Sequence, residues 1–168
     1  MRQQARLGMA LFLLSEAVFF FMLVAAFVYF RSASLTAAAA NLNLGPTSVY
    51  TACLLASSFT MWRAVATGAR SWIAATMALG GIFLLGQANE YWHLFRQNVT
   101  ISQGQFGSTF FTLTGFHGLH VLVGILLLGV AWRFSGHRVG IETVGMYWQF
   151  VDAVWLVIFS IVYLWTFL

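Results

Sequence analysis

Six ionisable side chains interrupt long apolar stretches of this sequence: Glu16, Glu90, His93, His117, His120 and Asp152. Placing such groups in hydrocarbon is costly, so each demands a physical reason. Glu90 and His93 form a Glu-x-x-His pair, a spacing that puts both on one helix face and that carboxylate-bridged di-iron bundles use. That centre also needs a second Glu-x-x-His and two more Glu, and the sequence has no second copy. His117 and His120, again three residues apart, are residue types that serve haem or zinc. Two His from one helix cannot reach a single haem from opposite sides, and no other mid-membrane His completes the pair. The expectation is therefore that both hydrogen-bond across helices or to backbone, with Gly115, Gly118 and Gly124 beside them letting a neighbouring helix approach. No nucleophile stands next to a base and no glycine loop could cradle a phosphate. These residues make no case for autonomous catalysis, and no catalytic, metal or cofactor-binding residue is expected in the chain.

The elements that must position these groups are membrane helices. Of 168 residues, 61% are hydrophobic and 7% charged, and the mean hydropathy is +0.85, far from soluble globular composition. Spanning the bilayer takes roughly 20 apolar residues, and five segments meet that length: about 7–30, 47–67, 71–95, 107–132 and 142–167. The connections Arg31–Pro46, Ala69–Arg70, Arg96–Phe106 and Arg133–Ile141 are too short to fold separately. The expected architecture is all-α, a single transmembrane domain over 1–168 built as a polytopic bundle of five helices. No internal repeat is evident, and Ala37–Ala40 is mild low complexity. The first segment follows Arg2 and Arg6 like a signal peptide, but it is too long and Glu16 interrupts it.

The charged set is eight Arg, no Lys and four acids, Glu16, Glu90, Glu142 and Asp152. These Arg punctuate apolar runs instead of clustering in a patch, so the basic balance reads as topology and not as nucleic-acid binding. With the N-terminus inside, the inner flanks hold Arg2, Arg6, Arg63, Arg70, Arg133 and Arg138, and the outer flanks hold Arg31 and Arg96. That bias favours an inside N-terminus and an outside C-terminus. It also puts the Asn98–Val99–Thr100 sequon outside, where only a secretory pathway could use it. Trp72, Trp132, Trp148 and Trp165 fall near span ends, as interfacial anchors do. Cys53, the single cysteine, reads as a small packing residue, as do Gly80 and Gly81.

Glu16 lies about ten residues into the first span, ~15 Å deep at the helical rise. A lone carboxylate there would be heavily penalised, so the neutral acid is the expected form, donating to His117, His120 or a neighbouring carbonyl. His117, His120 and Asp152 lie at similar depth, and Glu90 and His93 nearer the outer end of their span.

Four stretches carry a resemblance to subunit III of the haem-copper respiratory oxidases. Gly8–Phe21 reads G-M-A-L-F-L-L-S-E-A-V-F-F-F, similar to a family helix that begins with glycine and places an acid after Ser. Gln87–Tyr91 reads Q-A-N-E-Y, close to Gln-x-x-Glu-Tyr. Ile101–Val121 contains G-S-T-F-F followed by G-F-H-G-L-H-V, the most specific block. Tyr147–Trp155 reads Y-W-Q-F-V-D-A-V-W, resembling Tyr-Trp-His-Phe-Val-Asp. The order agrees along nearly the whole chain. It resembles the family's five-span form, without the first two helices of longer members, and Gln149 stands where the family usually has His.

The resemblance implies an accessory core subunit of a proton-pumping terminal oxidase in aerobic respiration. Such a subunit binds no haem or copper, which reside in partner catalytic subunits; its implied partners are catalytic subunit I, other oxidase subunits and phospholipid. It also marks Glu16, Glu90, His117, His120, Glu142 and Asp152 as positions supporting stability, lipid binding and proton uptake. With His93 and His137 these make up the candidate buried polar, proton-linked or lipid-related set. The implied location is the bacterial cytoplasmic membrane or the mitochondrial inner membrane. The Ser15–Glu16 pair leans toward the cytochrome c branch, with the quinol-oxidising branch as the alternative. A self-contained transporter or a haem-binding anchor subunit would also accommodate buried ionisable groups.

Overall fold

A computed structural model describes residues 2–30, 44–97, 105–134 and 138–165. His137, Arg31, the Ala37–Ala40 run and the Asn98–Thr100 sequon lie outside them. The described residues form five α-helices: α1 Arg2–Phe30, α2 Leu44–Thr67, α3 Arg70–Arg96, α4 Gln105–Arg133 and α5 Arg138–Phe159. A π-helical turn, Ser160–Leu164, continues α5. Helices are the expected solution in lipid, because each satisfies its own backbone groups where no water can.

The helices extend a few residues beyond the expected spans, as the interfacial Arg residues join their ends. Four are long and apolar enough to cross a membrane: the stretches Gln3–Phe30, Arg70–Arg96, Gly107–Arg133 and Arg138–Leu164. The helix α2 is not among them. It carries Thr47, Thr51, Ser57, Ser58 and Thr60 along its length, and Thr47, Thr51 and Ser57 are buried inside the bundle. Its polar atoms thus face protein, where Thr51 Oγ1 donates to Thr47 O at 2.8 Å and Ser57 Oγ to Leu54 O at 2.5 Å.

In outline, α2, α3, α4 and α5 form a closed ring, each packed on the next, and α1 lies in the groove between α4 and α5. The tightest hairpin joins α2 to α3 through Gly68, whose φ of 70° is a left-handed conformation that glycine adopts without penalty. Its N–H donates to Ala64 O at 2.8 Å and so closes the end of α2. The Arg63 guanidinium lies over the Trp72 ring and Arg70 over Trp132, at 5.6 and 5.8 Å. These pairs gather at the same end of the bundle as the Arg6–Glu142 contact.

The indole of Trp148 sits at the centre of the ring. A Cβ on Gly80 would come within 2.6 Å of it, and one on Gly124 within 2.9 Å. Two glycines from α3 and α4 therefore make room for an α5 tryptophan. Gly115 and Gly118 show only ordinary packing distances, and nothing crowds Gly81. The expectation of an interfacial Trp148 is corrected here. It is 0% exposed, and its Nε1–H donates to Ser57 Oγ at 2.9 Å. A residue ten positions along α5 is already well inside the bundle, and the buried hydroxyl gives the indole N–H its partner.

Candidate functional site

The polar groups at membrane depth form successive pairs that tie helices together. At the Arg-rich end, Arg6 Nη2 lies 2.8 Å from Glu142 Oε2, joining α1 to α5. This pair borders a groove of about 750 Å³, lined also by Ser58, Trp62, Met146 and Gln149.

Farther along α1, Glu16 Oε2 lies 3.1 Å from His120 Nε2. The second ring nitrogen of His120, Nδ1, is 2.7 Å from Phe116 O on its own helix. Because a carbonyl can only accept, Nδ1 carries a hydrogen. Tyr147 Oη donates to His120 O at 3.0 Å, so α1, α4 and α5 meet at this histidine. Of the partners expected for Glu16, His120 is the one that the fold supplies.

Asp152 is 2% exposed and accepts a hydrogen bond from Ser58 of α2. Gln149 donates through Nε2 to Ser58 O at 2.9 Å. Two α5 side chains thereby hold one serine of α2. Nearby, Thr60 Oγ1 and Thr76 Oγ1 are 2.8 Å apart and link α2 to α3.

Toward the opposite end, Glu90 Oε2 accepts from Thr47 Oγ1 at 3.1 Å and from Tyr163 Oη at 2.8 Å. Tyr163 belongs to the π-helical turn, so that local irregularity delivers a phenol to the half-buried carboxyl of Glu90. His93 does not join it. The imidazole is exposed while Glu90 is half-buried. Positions three apart differ by about 60° around a helix axis, and here the edge of the bundle falls between them. The Glu-x-x-His spacing therefore makes no shared site.

His117 departs most from expectation. It is 0% exposed, yet neither ring nitrogen has a hydrogen-bond partner among the described residues. Its neighbours are aromatic. The ring stacks on Trp155 at 4.9 Å and 28°, and meets the edges of Phe83 at 5.8 Å and Phe20 at 6.4 Å. The expected hydrogen bonding thus holds for His120 and not for His117, because α4 turns His117 into a space already filled by rings. Trp155 in turn directs its N–H to Thr51 Oγ1 at 3.0 Å.

Sequence reasoning missed Gln87, which is 6% exposed and whose amide oxygen and nitrogen likewise have no partner among the described residues. Its signal was a polar side chain between the apolar run of α3 and Glu90. It also missed Arg6, Ser58 and Tyr163 as partners, since pairing across helices leaves no local pattern. Among the described residues, no group of three or more His, Cys, Asp or Glu converges as metal ligands would.

Comparison with known proteins gives a match to the family described as cytochrome c oxidase subunit III over residues 1–167. The chain is 39% identical to cytochrome c oxidase subunit 3 of Synechocystis sp., over 94% of this chain and 74% of that protein. It is 37% identical to the Thermostichus vulcanus protein of that name, over 95% of this chain and 87% of the relative. With the Sus scrofa protein the identity is 38%, covering 95% and 69% of the respective chains.

Proposed function

Since this chain belongs to the cytochrome c oxidase subunit III family and has the subunit III role in a terminal oxidase, we propose that it is a non-catalytic helical subunit that packs against the catalytic subunit I. In this reading it stabilises that subunit, binds membrane phospholipid and supports proton uptake. The haem and copper belong to the partner subunits. All five helices span the membrane, with α2 sheltered by its neighbours and by the assembled complex. The Arg-rich end of the bundle faces the cytoplasm or matrix and the C-terminus faces outside, in a bacterial cytoplasmic or mitochondrial inner membrane.

The observation that supports this reading is the use made of the ionisable groups. Arg6 pairs with Glu142, Glu16 with His120, Glu90 with Thr47 and Tyr163, and Asp152 with Ser58. Each partner lies on a different helix, and each pair gives a partner to at least one polar atom that hydrocarbon would penalise. Such an arrangement fastens helices together, whereas chemistry would need several of these groups to converge on one reacting atom. Glu16, Glu90, His120, Glu142 and Asp152 thus act as interhelical fasteners, and any proton-linked role runs through them.

Comparing the oxidase from cells with and without this chain tests the proposal. The complex lacking it should keep its haem spectrum and initial oxygen reduction, and lose activity sooner over many turnovers. Loss of the haem spectrum itself would contradict a non-catalytic role.

A further inference from the structure

The orphaned polar atoms of Gln87 and His117 belong to one place in the fold. Two contacts fix the register of α3 against α4: Phe83 meets the His117 ring at 5.8 Å, and Tyr91 Oη lies 2.7 Å from Thr114 Oγ1. Gln87 is four residues from both Phe83 and Tyr91, one helical turn each way, and so shares their face. Across the interface, Thr114 and His117 are likewise one turn apart. Gln87 therefore lies between the two rungs, level with the stretch of α4 that ends at His117. Glu90, three residues further along α3, adds one more unpaired atom, its buried Oε1.

The surrounding protein groups are already engaged. Tyr91 and Thr114 bond to each other, and Thr114 Oγ1 donates to Phe110 O at 2.7 Å. Trp155 N–H is spent on Thr51, and Glu90 Oε2 on Thr47 and Tyr163. Gln87 offers two N–H donors and an amide oxygen, neutral His117 one donor and one acceptor, and Glu90 Oε1 an acceptor. An occupant with both donors and acceptors and no net charge satisfies this set. Water has those properties, and buried water binds where unpaired polar groups face one another.

We infer that the α3–α4 interface holds at least one structural water, bound between the Gln87 amide and the His117 ring and open on one side to Glu90 Oε1. The water completes hydrogen bonds that the helices leave unmade, and it couples α3 to α4 beside an aromatic cage that offers His117 no other polar partner.

A cryo-EM map of the assembled oxidase, at a resolution that shows ordered water elsewhere in its membrane interior, tests this directly. We expect density within hydrogen-bonding reach, roughly 2.7–3.2 Å, of both the Gln87 amide and a His117 ring nitrogen. Well-resolved side chains with no density between them, or a Gln87 amide bonded to a protein group, would overturn it. Gln87→Leu in the complete complex gives a second reading. Removal of the water's main anchor should erase the density and release this subunit at a lower temperature. An unchanged or higher release temperature would mark a dry interface, since an apolar side chain there would then relieve unpaired groups without losing a bond.

Discussion

Glu16 and His120 meet across α1 and α4 with Oε2 3.1 Å from Nε2, and the opposite ring nitrogen of His120 is committed to Phe116 O at 2.7 Å. With Nδ1–H fixed, one further proton lies between Nε2 and the carboxyl, so the pair is either a neutral acid donating to a neutral ring or a carboxylate facing an imidazolium. Either form holds α1 to α4 through the shared proton. Infrared difference spectra of the parent against Glu16→Gln should show a carboxyl-group band that the variant loses together with a change in the His120 ring bands; unchanged ring bands would contradict the contact.

The same proton accounting ranks substitutions at Glu16. Gln keeps a donor for Nε2 at similar volume, so Glu16→Gln should assemble and sustain oxygen reduction nearly as the parent does. Glu16→Leu leaves His120 Nε2 without its donor and should cost ~1–3 kcal/mol. The temperature at which the subunit leaves the detergent-solubilised oxidase reads this difference. Equal damage from both variants would instead point to proton exchange at Glu16.

Gly80 and Gly124 flank the Trp148 indole, where an added methyl would lie 2.6 and 2.9 Å from ring atoms. Gly80→Ala and Gly124→Ala should each destabilise the bundle by about 1–3 kcal/mol through overpacking. Gly81→Ala is the control, since its methyl meets nothing within 4 Å. Thermal release of the three variants should place Gly81→Ala with the parent and the other two below it.

The π-helical turn brings Tyr163 Oη to Glu90 Oε2 at 2.8 Å. Tyr163→Phe removes one of two donors to that oxygen while keeping the ring, and should cost about 1 kcal/mol. Thr47→Val in the same background should cost more than it does alone, because the carboxyl oxygen would then lose its remaining donor. A double-mutant cycle on release temperature measures the coupling; strict additivity would mean that the two donors act separately.

Much of the helical layout is legible in the sequence because hydrocarbon thickness fixes helix length, and Arg residues mark the ends of the apolar runs. The fates of individual polar groups are less legible. Glu16 and His120 are 104 positions apart, and nothing local announces their contact. His117 differs from His120 only in the direction its helix turns it, toward Trp155 instead of toward α1. Trp148 reads as an interfacial anchor from its position near a span end, yet the Gly80 and Gly124 gaps draw it into the core. Pairing across helices is a property of packing, and a single sequence displays the groups without showing how they face each other.

Topology has its own test. Ser135 stands in the sequence between Arg133 and Arg138, residues that the Arg distribution assigns to the cytoplasm or matrix side. Ser135→Cys should therefore resist an impermeant thiol reagent added outside and react once the membrane is opened. Labelling from outside in intact cells would reverse the orientation.

On this reading the chain serves a terminal oxidase without carrying its redox centres, and affinity purification of the tagged chain in mild detergent tests that most directly. Mass spectrometry combined with a visible spectrum should find oxidase catalytic subunits and a haem spectrum in the complex, and a colourless chain once those subunits are stripped away. A stoichiometric Soret band on the isolated chain, or its purification without any oxidase subunit, would contradict the account.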